Sequence, residues 1–233
     1  MTEDRSKRLQ PPRSRGVRIF FHLLASVAVA GLYGYYVQRD FRWILGTLGW
    51  PPAEGWPVQL AKPGPLSVLL LLIRNSLLTF FFLSRKLSRE TSAEFFPWAA
   101  AVGGTLIGYY FDGVPIGPTL TVGVGGWVMA LGVFLAVLAV CSLGRSFGIV
   151  PSNRGIRTGG MYRLMRHPAY GTYFVIDVGF VMVHPSMRNL LVLAAFILLS
   201  YYRSVYEEQL LMGDPEYQAY RKTVRWRFIP GLW

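Results

Sequence analysis

Charged residues are scarce in this 233-residue chain: only 15% are Asp, Glu, Lys or Arg, whereas 52% are hydrophobic. Because soluble domains carry roughly 25% charged residues, this composition excludes an ordinary soluble domain. The mean hydropathy is +0.35, and several apolar runs approach the roughly 20 residues that a helix needs to cross a bilayer. The composition therefore predicts a polytopic membrane protein.

Cysteine and acidic residues are also few. The single cysteine, Cys141, excludes an intramolecular disulfide and is interpreted as a small buried hydrophobic residue. The chain has 24 basic and 12 acidic residues, which gives a net charge of +12. The basic residues lie in short clusters beside the apolar runs, as the positive-inside rule predicts, and this distribution argues against nucleic acid as a partner.

Six apolar segments are predicted to be helices, because a backbone in hydrocarbon must satisfy its own hydrogen bonds. They cover residues 17–37, 66–84, 95–111, 120–143, 170–183 and 189–206. The predicted fold class is all-α, a polytopic membrane bundle of about six transmembrane helices. Residues 184–188 allow only a tight turn, so the last two segments are predicted to form a C-terminal helical hairpin.

The Lys and Arg residues concentrate in alternate connections, which predicts an integral, multi-pass membrane protein with both termini in the cytoplasm. Residues 1–16 are polar and basic, and we expect a disordered cytoplasmic tail without a cleavable signal peptide. Residues 17–118 are predicted to hold transmembrane helices one to three. Residues 119–233 are predicted to hold helices four to six and a C-terminal cytoplasmic cap.

Charged side chains inside apolar segments are costly in a membrane, so each is a candidate functional residue. Arg74 and Asp177 are two such residues, with a structural ion pair or a water-facing position as the alternative. Arg203 and Glu207 are four residues apart and share a helix face, while Glu208 points about 100° away. For Arg203 and Glu207 the alternative is an interfacial salt bridge.

The motif RHPAY, residues 166–170, begins the fifth segment on the side of the membrane where the sixth segment ends. Pro168 suits the first turn of a helix, whose N-terminal N–H groups attract a carboxylate. A cationic rim of this kind facing Glu207 and Glu208 predicts a pocket for a zwitterionic ligand with an amino acid end. For His167, the alternative is a capping residue that holds the loop.

Several stretches in the second half of the chain resemble one known family. They are LGRSF (143–147), RGIRTGGMYRLMRHPAYG (154–171), RSVYEEQLL (203–211), DPEYQAYRKTV (214–224) and RFIP (227–230). Together they resemble the C-terminal half of the isoprenylcysteine carboxyl methyltransferase family, which is similar in turn to membrane phospholipid N-methyltransferases. The joint pattern of G-x-Y-x-x-x-R-H-P-x-Y, R-x-x-x-E-E and Y-x-x-Y makes the resemblance specific.

The resemblance implies an integral membrane methyltransferase that uses S-adenosylmethionine without a Rossmann fold, and the absence of a G-x-G-x-x-G motif after a strand fits that. It implies a cytoplasmic cofactor pocket under the C-terminal segment, within a methyltransferase core at residues 119–233. The implied cofactor-binding residues are Arg154, Gly155, Ile156, Arg157, Tyr162, His167, Pro168, Ala169, Tyr170, Glu207 and Glu208. Where the family often has His-x-Leu-Val, this chain has residues 154–157 as Arg-Gly-Ile-Arg, so backbone contacts are expected from this stretch.

The predicted function is methyl transfer to a carboxylate of a lipophilic acceptor that enters from the membrane, with Arg203 and Glu207 as catalytic residues. Arg203 is expected to bind and orient the acceptor by a charge-assisted hydrogen bond. A protonated amine or a thiol acceptor would instead need proton removal by Glu207, Glu208 or His167.

Two alternatives stay open at this point. One is a phospholipid N-methyltransferase or a small-thiol methyltransferase, and the other is a non-catalytic membrane scaffold or transporter. The expected partners are the methyl acceptor and membrane lipid, and the sequence predicts neither a metal nor a nucleic acid.

Overall fold

The computed structural model describes residues 15–47, 65–88, 90–91, 95–113 and 117–232. Helices dominate this part of the chain, which confirms the predicted all-α class. The helices are α1 (Arg15–Thr47), α2 (Pro65–Leu83), α3 (Phe95–Leu106), α4 (Thr119–Leu143), α5 (Pro168–Val183), α6 (Met187–Leu211) and α7 (Pro215–Thr223). Two-residue strands β1 (Glu90–Thr91) and β2 (Ser152–Asn153) pair antiparallel.

Each of the six predicted segments corresponds to a helix, but the first helix differs in length. It begins at Arg15, within the predicted tail, and continues to Thr47, ten residues past the predicted end. Beyond the apolar run, Asp40 is fully buried against α2, where Asn75 donates to it at 2.8 Å. Residues 1–14 of the predicted tail lie outside the described residues.

Two stretches among the described residues are long and apolar enough to cross a membrane, Thr119–Ser146 and Met187–Leu211. The helical stretches Leu69–Leu83 and Pro168–Val183 are apolar but shorter. A long apolar helix of this kind matches the roughly 30 Å hydrocarbon thickness. The count of six spans and the cytoplasmic location of both termini stay predictions.

Helix α5 packs most closely against α4, because glycines remove the side chains from the contact. A Cβ on Gly125 would lie 2.8 Å from the carbonyl oxygen of Gly179, and one on Gly132 would lie 2.8 Å from the backbone nitrogen of Ile176. The predicted turn between α5 and α6 is present, and Ser186 caps α6 by accepting from the Asn189 N–H at 3.1 Å. The expectation for Cys141 was wrong: it is exposed on α4, so it faces away from the close α4–α5 contact.

Hydrogen bonds around the end of α2 join it to α1 and to the second half of the chain. Arg85, just after α2, donates to Ser26 on α1 at 2.8 Å, and the Lys86 N–H donates to the carbonyl of Arg145 at 2.9 Å. The guanidinium of Arg154 donates back to the Lys86 carbonyl at 2.7 Å. These contacts, together with the β1–β2 pair, bring α1 and α2 beside the 154–157 stretch.

The C-terminal segment packs on the loop that precedes α5. The N–H groups of Arg166 and His167 donate to the carbonyls of Trp226 and Arg227 at 2.9 and 2.8 Å. Helix α7 begins with Asp214 as its N-cap and Pro215 in its first turn. Its residue Tyr220 donates to the carbonyl of Tyr162 at 2.7 Å. This segment therefore covers the motif residues, as a cap would.

Candidate active site

A cavity of about 720 Å³ opens among the helices where α5 begins and α6 ends. One face of α6 lines it, from Phe196 to Leu211. At a rise of 1.5 Å per residue, these two positions are about 22 Å apart along the helix. Its volume falls in the range of roughly 300–1,000 Å³ that is typical of small-molecule sites. We call the part near Leu211 the rim end and the part near Phe196 the inner end.

Most of the predicted site residues line this one cavity, although they come from separate stretches of the chain. They are Arg154, Gly155, Ile156, Arg157, Tyr162, His167, Ala169, Tyr170, Arg203 and Glu207. Pro168 and Glu208 are not among the lining residues. Pro168 is buried in the first turn of α5, where its ring suits the start of a helix.

Glu207 lies beside two aromatic side chains from the start of α5. The Tyr170 hydroxyl donates to Oε2 of Glu207 at 2.9 Å, and Nδ1 of His167 lies 3.9 Å from the same oxygen. The rings of His167 and Tyr170 stack with centroids 5.4 Å apart. The other carboxylate oxygen of Glu207 has no partner in the described part of the chain, so it is available to a ligand.

Arg203 and Glu207 both reach the cavity, and no ion pair joins them in the described structure. The guanidinium of Arg203 donates instead to the carbonyls of Gly148 and Ile149. It also lies over the Tyr170 ring, 5.0 Å from the centroid. The interfacial salt bridge considered from the sequence is therefore not formed, and Arg203 is positioned at the cavity wall by the 148–149 loop.

Glu208 points away from the cavity into a buried charged cluster and is only 4% exposed. It accepts from Nε of Arg166 at 2.9 Å, from Nε2 of His167 at 3.1 Å and from Nη2 of Arg227 at 3.0 Å. Because an ionised carboxylate only accepts, His167 donates through Nε2 and keeps Nδ1 toward Glu207. These contacts favour a positioning role for Glu208; its contact with a cofactor stays a prediction.

The 154–157 stretch differs from the family pattern, and its arginines are held by the protein. Burial, followed by the nearby charge of Arg85, lowers the pKa of Arg154 to about 10, so the guanidinium stays protonated at neutral pH. Gly155 has φ +91°, a backbone angle that favours glycine, and its N–H donates to Asn153 at 2.9 Å. Arg157 donates to Ser146 at 3.0 Å.

Two buried polar atoms near the cavity have no hydrogen-bond partner among the described residues. They are Nε of Arg154 and the hydroxyl of Tyr217, and both residues line the cavity. Buried polar groups are nearly always satisfied in native proteins, so these atoms point to a polar ligand. Burial and the charge of Glu207 raise the pKa of Tyr162 well above its usual value, which keeps its hydroxyl neutral.

Sequence reasoning did not assign site roles to several residues that line the cavity. Tyr217 and Tyr220 of α7 belong to the Y-x-x-Y element of the resemblance, and that spacing was their available signal. At the inner end, the isolated charges of Arg74 and Asp177 in apolar segments were the signal. The structure brings these two residues to the same cavity as Arg203.

Among the described residues, the charge of the cavity wall is positive. Its arginines are Arg39, Arg74, Arg154, Arg157, Arg166 and Arg203, and its acids are Asp177 and Glu207. Asp40 and Glu208 pair with Arg39 and Arg166, which leaves four arginines against two acids. A cavity with this excess attracts anionic and zwitterionic ligands.

Comparison with known families found one match in the second half of the chain. Residues 120–214 match the family model described as phospholipid methyltransferase, and this range contains α4, α5, α6 and the motif residues. No match was found among curated proteins. This match is consistent with the sequence resemblance to the isoprenylcysteine carboxyl methyltransferases, and it agrees with a membrane helical bundle. Over residues 120–214 the chain is therefore similar to the phospholipid methyltransferase family, and this similarity supports a membrane methyltransferase.

Proposed function

We propose that the protein transfers a methyl group from S-adenosylmethionine to a carboxylate of a lipophilic acceptor at the cytoplasmic membrane face. The observation that carries this proposal is the position of Arg203 in a cavity wall with excess positive charge. A carboxylate is attracted to such a wall, whereas a protonated amine is repelled.

The rim end offers groups that suit the cofactor. Glu207 has a free carboxylate oxygen for N–H or O–H donors of a ligand, and Arg154 and Tyr217 have unsatisfied buried donors. The aromatic faces of Tyr162 and Tyr170 line the same region and suit a planar base or a cation. A zwitterionic, aromatic ligand therefore fits this chemistry, with Glu207 and the 154–157 stretch as its proposed contacts.

When bound, S-adenosylmethionine supplies a methyl group activated on a sulfonium. Methyl transfer is an in-line displacement, so the protein contributes mainly by positioning the acceptor and excluding water. Arg203 would hold one oxygen of the acceptor carboxylate and leave the other to react. Such an acceptor is already ionised, so no general base is needed.

Phospholipid N-methylation is a second candidate, and two observations favour it. The matched family is described as phospholipid methyltransferase. In addition, Glu208 holds His167 so that Nδ1 faces Glu207 beside the cavity, which is an orientation suited to accepting a proton. An amine acceptor needs that proton transfer before it reacts.

A labelled-methyl assay distinguishes these candidates. Purified protein in lipid nanodiscs is incubated with methyl-labelled S-adenosylmethionine and, separately, with a prenylcysteine, a fatty acid, a phosphatidylethanolamine and a small thiol. We expect label on a carboxylate acceptor and its release as methanol under mild alkali, because alkali hydrolyses a methyl ester but does not cleave an N-methyl or S-methyl bond. Alkali-stable label on phosphatidylethanolamine alone would overturn carboxyl methylation in favour of the second candidate.

A further inference from the structure

The inner end of the cavity contains a polar cluster that lies outside the matched family domain. Arg39 pairs with Asp40 at 2.8 Å, and Asp40 also accepts from Nδ2 of Asn75 at 2.8 Å. Arg74 donates to Oδ1 of Asn75 from Nη2 at 3.1 Å. Arg39 therefore pairs with the carboxylate of Asp40, whereas Arg74 contacts the amide of Asn75 and not a carboxylate.

Arg74 has hydrogen-bonding capacity that the described protein groups do not use. Its contacts from Nε and Nη2 both go to the same amide oxygen of Asn75, at 3.4 and 3.1 Å. No carboxylate in the described part of the chain forms an ion pair with it. Arg74 lies in the middle of the apolar helix α2 and faces the cavity. A guanidinium in such a place is costly unless an anion or a polar ligand compensates it.

Arg74 on α2 and Arg203 on α6 line the same cavity. Arg203 is held at the cavity wall by the 148–149 loop, whereas Arg74, among the described residues, bonds only to its neighbour Asn75. One ligand in this cavity would therefore meet two guanidinium groups from different helices.

Other groups at the inner end restrict what can bind there. Tyr36 and Tyr109 line the cavity, and their hydroxyls form a hydrogen bond with each other. These polar groups make this end less suited to a plain hydrocarbon chain. Asp177 on α5 also lines the cavity and is seven residues beyond Tyr170, about 10 Å deeper. Asp177 would attract a cation, whereas the cluster around Arg74 would attract an anion.

We propose that the cluster of Arg39, Arg74 and Asn75 is a second anion-binding subsite, and that the methyl acceptor is an amphiphile with an anionic group at each end. One carboxylate would lie at Arg203 and the second anionic group at Arg74. This inference rests on the proposed function, because it assigns the acceptor class for the same cavity. Its basis is the position of Arg74 on the cavity wall and the donors of its guanidinium that no described residue uses.

Three ligands of equal chain length test this subsite by binding alone. Calorimetric titrations of decanoate, sebacate and ω-aminodecanoate are made with nanodisc-embedded protein saturated with S-adenosylhomocysteine. These ligands carry a methyl, a carboxylate and an ammonium group at the remote end. We expect sebacate to bind about tenfold more tightly than decanoate, as one charged hydrogen bond would give. Arg74→Gln should remove this margin, Arg74→Lys should keep part of it, and Asp177→Asn should keep it in full.

Several results would overturn the inference. Equal affinities for decanoate and sebacate would do so, as would the absence of binding by all three ligands in a protein that binds S-adenosylhomocysteine. Tightest binding of ω-aminodecanoate, lost in Asp177→Asn, would assign the inner end to a cation instead. Because S-adenosylhomocysteine binding is measured first, a failure of the proposed function appears separately as the loss of that binding.

Discussion

Replacing Arg203 with alanine is expected to lower methyl transfer by at least about 100-fold while the Kd for S-adenosylhomocysteine changes by less than about threefold. The reason is that Arg203 would orient the acceptor rather than bind the cofactor, and one positioned donor is worth roughly 100- to 1,000-fold in rate. Transfer of labelled methyl under single-turnover conditions measures the first quantity, and calorimetry measures the second.

Arg203 also holds the carbonyls of Gly148 and Ile149, so a change of loop position must be separated from the loss of orientation. Arg203→Lys keeps a donor for the loop and should recover stability but little activity. Arg163→Ala removes an exposed arginine that does not line the cavity and should leave both quantities unchanged. Weakened cofactor binding with normal turnover in Arg203→Ala would contradict the assignment.

Glu208→Gln is expected to destabilise the protein by about 3–5 kcal/mol, the usual cost of removing one partner from a buried charged cluster. The substitution keeps the shape of the side chain but leaves Arg166, His167 and Arg227 without their shared carboxylate. Unfolding in detergent, followed by circular dichroism against denaturant or temperature, measures the change.

Glu207→Gln is the matched control. The two glutamates are adjacent on α6, but the side chain of Glu207 lines the cavity and that of Glu208 points into the buried charged cluster. Glu207 is 30% exposed and accepts from Tyr170 alone among close hydrogen-bond donors in the described chain. Its substitution should change stability by less than about 1 kcal/mol, since a partly exposed pair contributes little. If Glu208→Gln were as stable as Glu207→Gln and bound the cofactor less well, Glu208 would be a ligand residue.

The helices of this protein were largely predictable. An apolar run long enough to cross a membrane must satisfy its own backbone hydrogen bonds, and an α-helix does so within one segment. The proximity of the motif residues at the rim end was also predictable, since Arg203 and Glu207 share one face of α6 and the RHPAY motif begins α5, the other helix of the hairpin. These features depend on short-range spacing. In the structure, ten of the predicted site residues line one cavity.

The parts that the sequence did not predict depend on long-range contacts. Helix α1 extends past its apolar run because Asp40 meets Asn75 on α2, a partner 35 residues away. The side chain of Glu208 points away from the cavity, where Arg227 of the C-terminal segment donates to its carboxylate. Neither contact can be predicted from the spacing of apolar and polar residues along the chain. The inner end likewise required the positions of α1, α2 and α5 relative to one another.

Calorimetric titration of S-adenosylhomocysteine into the purified protein, beside Glu207→Gln, tests the central claim most directly. We expect binding at micromolar Kd by the wild type and a loss of about tenfold or more in the variant, since Glu207 offers its free carboxylate oxygen at the rim end. The melting temperatures of the two proteins should be close, so that the difference reports the site. A folded wild type that does not bind S-adenosylhomocysteine, or a variant that binds it equally well, would contradict the assignment of the rim end to the cofactor.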